Sequence, residues 1–147
     1  MKHSWIGWVG TALAAIGLGV SLYLTIAHYT TPVLLACPET GIVNCAKVTT
    51  SSYSVILGVP LALLGLLFYI AMLPLQLPVA WRSQNKWLRR GRLIFSASGI
   101  VMICWLIFVE LFKLNAICLY CTAVHVVTLS LFILTALGTA LTEEAHD

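Results

Sequence analysis

The sequence predicts an all-α integral membrane protein, a four-transmembrane-helix bundle with a capping extracytoplasmic loop. Three observations predict it. Of the 147 residues 61% are hydrophobic and 9% charged, where a soluble domain carries roughly 25% charged residues; the mean hydropathy is +1.00. Four apolar runs are each long enough to cross about 30 Å of hydrocarbon at about 1.5 Å per residue. The basic residues Arg82, Lys86, Arg89, Arg90 and Arg92 gather in one short segment. In so apolar a chain that cluster marks the cytoplasmic side of a membrane rather than a nucleic-acid surface, so lipid and not nucleic acid is the expected surroundings. At this length residues 1–147 make a single membrane domain.

The first run, about Trp5 to Tyr29, carries no charge and is too long for a cleaved signal peptide, so it reads as a retained anchor. The second, about Val55 to Val79, contains Pro60, Pro74 and Pro78; the third runs from about Leu93 to Phe112, with Glu110 near its end. The fourth is about Ile117 to Leu141. Between them lie an outer loop of about 30–54 and a cytoplasmic loop of about 80–92. With the basic segment inside, Lys2 and the terminal Glu143-Glu144-Ala145-His146-Asp147 are cytoplasmic as well. The outer loop and the Lys113–Ala116 turn then hold only Glu39, Lys47 and Lys113. Gly7, Gly10, Gly17, Gly19, Gly58 and Gly65 read as small-residue contact points between helices.

This orientation puts Cys37, Cys45, Cys118 and Cys121 on the extracytoplasmic side, where disulfides form and persist. Cys104, midway down the third helix, reads as a small buried hydrophobe. Cys118 and Cys121 share a helix face if the helix begins near Asn115, a suitable N-cap. Cys118 then meets the positive end of the helix dipole, which favours its thiolate, while Cys121 lies about 4.5 Å deeper along the axis. Pro38, Gly41 and Asn44 make the stretch between the outer cysteines turn-rich and mobile.

Three chemistries are open to these pairs. Zinc favours two close pairs, and the wide spacing of Cys37 and Cys45 with Pro38 between them argues against it, so no metal is expected. Structural disulfides would make a non-catalytic membrane scaffold, but a CxxC bridge inside a helix is strained and reducible. Disulfide exchange fits better. Electrons from a soluble thiol protein would enter at the loop, pass to Cys118 and leave through Cys121 to a membrane-soluble two-electron acceptor, most simply a quinone. A transporter is disfavoured, because Glu110 is the only intramembrane acid and no helix carries a polar stripe.

These residues resemble the vitamin K epoxide reductase family over nearly the whole chain. The resemblance rests on Cys37-x7-Cys45, on Ser51 shortly after it, and on Cys118-Leu-Tyr-Cys121 opening the fourth helix. Ser51-Ser52-Tyr53, Gly58-Val59-Pro60 and Gly65-Leu66-Leu67-Phe68-Tyr69 are similar to the bacterial branch. It implies a bundle around a quinone (ubiquinone, menaquinone or vitamin K) in a bacterial cytoplasmic membrane. It also implies that Cys37 meets a partner protein, that Cys45 exchanges with Cys118, and that Cys121 attacks the quinone. Ser51 would position the loop or the quinone head, or else simply cap a turn. His125 would donate to a quinone carbonyl where animal members carry a tyrosine, or else be an intrahelical histidine.

Two departures shape the expectation. Leu61 stands in the stretch where animal enzymes place an asparagine, so quinone rather than epoxide reduction is implied. The chain ends at Asp147 without the fused thioredoxin-like domain of many bacterial members, so a separate DsbA-like or thioredoxin-like extracytoplasmic protein is the expected partner. The quinone-linked oxidase DsbB has the CxxC pair first and the spaced pair second. Here the order is reversed, as in the vitamin K epoxide reductase type.

Overall fold

The structure, a computed structural model, describes residues 4–30 and 36–144. Lys2 and the last three residues, expected on the cytoplasmic side, lie outside the described residues. Among the described residues six α-helices follow in chain order: α1 (Ser4–Tyr29), α2 (Cys45–Thr49), α3 (Leu61–Gln76), α4 (Pro78–Arg82), α5 (Lys86–Phe108) and α6 (Leu119–Glu144). α1 packs chiefly against α3 and α6, and α5 against α6. Lipid-type side chains such as Trp8, Ile94, Val101 and Leu137 cover the outside, as a bilayer solvent demands.

Among the described residues three helices are long and apolar enough to cross a membrane: Ser4–Tyr29, the continuous Lys86–Leu114 and Leu119–Glu144. The second expected span is shorter than predicted. Val55–Ile56 (β1) and Val59–Pro60 (β2) form a small antiparallel hairpin instead of helix. Its turn residues, Leu57 and Gly58, both have positive φ, the backbone of a tight two-residue hairpin turn. Only Leu61–Gln76 is helical beyond it, and Pro78 then holds Leu77 extended (φ −56°, ψ 143°), because a residue before proline avoids the helical region. The hydrophobic run was continuous; turn chemistry at both ends cut it.

The basic segment also departs from expectation. Rather than a loop over 80–92, Asn85 caps α5, its Oδ1 accepting the Trp87 N–H at 2.9 Å. Arg89 and Arg92 therefore lie on the first turns of a helix that begins well before Leu93. At the other end α5 runs into a π-helical segment, Val109–Leu114.

Glycine explains how closely α1 approaches its neighbours. A Cβ at Gly7 would meet Pro78, one at Gly10 would meet Gln76, and one at Gly17 the Tyr69 ring, so three of the expected contact points are contacts. Gly65 faces Ser21 less tightly, Gly19 faces open space, and Gly58 serves the hairpin turn instead. Cys104 is exposed on the outer face of α5, not buried as expected; a polarizable thiol meets lipid there without penalty.

Candidate functional site

The segment after Cys37 folds onto the entrance to α6. Thr40 and Val43 close a turn through two backbone bonds, Thr40 N–H to Val43 O at 3.2 Å and Val43 N–H to Thr40 O at 3.0 Å, with Gly41 at φ 58° between them. Asn44 then caps α2, its Oδ1 accepting from Lys47 N–H at 2.8 Å. Ile117 stitches this segment down: its N–H donates to Ile42 O at 2.9 Å and its carbonyl accepts from Asn44 N–H at 3.1 Å. The stretch expected to be mobile is thus hydrogen-bonded to the segment leading into Cys118.

That stitching brings the two cysteine pairs together. Cys45 and Cys118 are both fully buried, in one cluster with Leu24, Ala27, Val48 and Ala116; Cys37 and Cys121 pack against it half-buried. Cys37 and Cys45 are joined by a disulfide, with their Cα atoms 6.1 Å apart. Cys118 and Cys121 are free thiols.

Asn115 is not the cap of the last helix. It ends the π-helical segment in the left-handed region, φ 47° and ψ 42°, a conformation asparagine tolerates better than most residues. Cys118 takes the capping role: its carbonyl accepts from Thr122 N–H at 2.9 Å and its sulfur accepts from Cys121 N–H at 3.3 Å. Cys118 lies just before the last span. The Cys121 thiol beside it, with the backbone N–H of Cys121, holds its thiol below the ordinary cysteine value although burial opposes this.

Cys121 lines a cavity of about 330 Å³ enclosed by α1, α3, α5 and α6 and roofed by the loop around Ser51. The lining is mainly apolar, with a few polar groups among which are Ser51, Glu110 and His125. A largely apolar space of this size, roughly 300–1,000 Å³, with a few converging polar groups is the usual form of a small-molecule site. It suits a quinone ring, which offers carbonyl acceptors on an apolar body. Cys118 stays outside the lining, buried with Cys45 instead, so the two cysteines of one CxxC border different spaces.

Ser51 both lines the cavity and closes the end of α2, its hydroxyl donating to Val48 O at 2.9 Å. His125 is buried on the cavity wall, one turn below Cys121. Tyr69, fully buried, closes the floor through its hydroxyl, 2.8 Å from Thr128 Oγ1 and donating to Val124 O at 3.1 Å. Two wall groups escaped sequence reasoning. Glu110 reads in sequence only as a lone acid near a helix end, yet it is 5% exposed and lines the cavity. Tyr69 reads as one aromatic among many, and nothing in the sequence pairs it with Thr128.

Among the described residues no group of three or more His, Cys, Asp or Glu is placed to hold a metal. A comparison with curated proteins found no match. The model of the vitamin K epoxide reductase family matches residues 8–136. That stretch takes in both cysteine pairs and the cavity between the helices, and the chain belongs to the vitamin K epoxide reductase family.

Proposed function

We propose that this membrane oxidoreductase, acting as one four-helix domain, oxidises a DsbA-like or thioredoxin-like extracytoplasmic protein and passes the electrons to a quinone. The observation that carries this reading is the division of the CxxC pair. Cys118 is buried with Cys45 while Cys121 lines the apolar cavity.

The partner's dithiol would reduce the Cys37–Cys45 disulfide by thiol–disulfide exchange, with Cys37 as the outer, half-buried sulfur. Cys45 would then attack Cys118 of an oxidised Cys118–Cys121 pair, reforming Cys37–Cys45 and leaving two inner thiols. The closed Cys37–Cys45 bridge and the free thiols of Cys118 and Cys121 support this order. A quinone supplies the sink for two electrons and two protons. Cys118 and Cys121 lose both and close to a disulfide, while Ser51 and His125 orient the ring from the cavity wall. The basic end of the bundle supports a cytoplasmic placement for Arg82 to Arg92 and an extracytoplasmic one for the cysteines. A bacterial cytoplasmic membrane is the setting that fits.

The test uses purified protein in nanodiscs with a reduced DsbA-like protein and, in turn, ubiquinone and menaquinone analogues. Quinone reduction should match partner oxidation one for one, and Cys121→Ala should abolish both. Undiminished quinone reduction by Cys121→Ala would sink the reading, and Cys45→Ala should stop transfer between the couples.

A further inference from the structure

At the end of the bundle away from the cysteines, two arginines are folded inward. Arg92 is 1% exposed; its Nη1 donates to Leu75 O at 3.1 Å and its guanidinium lies 3.5 Å from the centroid of the Trp81 ring. Trp81 is itself fixed by donating its indole N–H to Gln76 Oε1 at 3.1 Å. Arg89 Nη2 stands 3.7 Å from Glu143 Oε1. Yet the Nε atoms of both Arg89 and Arg92 are buried with no hydrogen-bond acceptor among the described residues.

Both arginines line a cavity of about 100 Å³, together with Arg82, Trp81, Ser83 and Thr142. Three guanidinium groups border this space, and Glu143 is the one carboxylate ion-paired there among the described residues. Positive charge is in excess, with buried donors unmet. Arginine forks match the oxygens of a phosphate group in charge and geometry. The source of that phosphate follows from depth. The cavity lies where α5 begins and α6 ends, at the head of two apolar spans. Trp87 and Val79 stand exposed in the same region, and tryptophan favours the membrane–water interface.

We propose that Arg82, Arg89 and Arg92 form a binding site for a phosphate group, carried by the headgroup of an anionic membrane lipid. Arg92, held by Trp81 and Leu75, is the fixed floor of the site; Arg82, on the exposed last turn of α4, closes over the phosphate. Basic pockets between membrane helices bind anionic headgroups on the same physical grounds.

The experiment titrates detergent-purified protein with phosphatidylglycerol, phosphatidylcholine and inorganic phosphate, reading retained ligand by native mass spectrometry and thermal unfolding alongside. Phosphatidylglycerol should be retained one to one and raise the unfolding temperature, with phosphatidylcholine far weaker. Arg82→Gln should weaken retention about tenfold, the loss expected for one charge-assisted hydrogen bond. Arg90→Gln, the same charge change at an exposed position outside the cavity, should leave retention unchanged. Arg82 is exposed, so its substitution leaves the packing intact where Arg92→Gln would disturb it. Equal retention of the two lipids, or equal losses in Arg82→Gln and Arg90→Gln, would overturn the site. Stabilisation by inorganic phosphate as strong as that by phosphatidylglycerol would overturn the lipid as its source.

Discussion

The sulfur of Cys118 accepts the backbone N–H of Cys121 at 3.3 Å, so the atom that caps the last helix belongs to the Cys-x-x-Cys pair. A helix N-terminus leaves several N–H groups without partners, and they favour negative charge placed against them. The contact that caps the helix also favours the Cys118 thiolate.

Cys121 gives Cys118 a pH dependence of its own. The Cys118 thiol is held below the ordinary cysteine value, first by the neighbouring Cys121 thiol, so its thiolate persists to lower pH. In a Cys104→Ala background, with the loop disulfide closed, thiolate absorbance should show the first of the pair's two proton losses below about 8.5, the value for a free cysteine. A first loss at or above that value would mean that neither the Cys121 thiol nor its backbone N–H stabilises the anion.

The stitching of the loop to Ile117 passes through Asn44, whose side chain also caps α2. Asn44→Ala should cost about 1 kcal/mol and slow exchange between Cys45 and Cys118 while sparing quinone reduction by a chemically reduced inner pair. Rapid-quench trapping of the mixed disulfide separates the two. Unchanged exchange would show that α2 is held without its cap.

Tyr69 fills the space that Gly17 leaves open and donates to Val124 O at 3.1 Å. Tyr69→Phe should lower stability by about 1 kcal/mol through the lost hydrogen bond. Gly17→Ala should lower it by about 1–3 kcal/mol through overpacking against the ring. Denaturant unfolding in detergent measures both, and a Gly17→Ala protein as stable as wild type would contradict the close approach of α1 and α3.

Cys104 is exposed on α5, away from both pairs. Cys104→Ala should retain full partner oxidation and quinone reduction in a coupled assay. A large loss would assign that face a part in the reaction.

The two cysteine pairs and the long first, third and last spans were legible in the sequence because hydropathy and Cys-x-x-Cys spacing act locally. Glu110, Tyr69 and the pairing of Asn44 with Ile117 were not, since each depends on which helix packs beside which. The errors have local causes of another kind. Leu57-Gly58 and Leu77-Pro78 carry turn chemistry inside an unbroken apolar run, and Asn115 left one helix rather than opening the next because the Cys118 sulfur took the cap.

The shortness of α3 has a consequence outside the protein. Its 16 residues reach about 24 Å at about 1.5 Å per residue, short of a hydrocarbon layer about 30 Å thick. Leu67 and Ile70 nevertheless face outward on it. Lipid meeting that flank must compress its tails or bring its headgroups down over the hairpin. Acyl-chain length would then be a lever on the depth at which a lipid-dissolved molecule meets the cavity wall formed by α3.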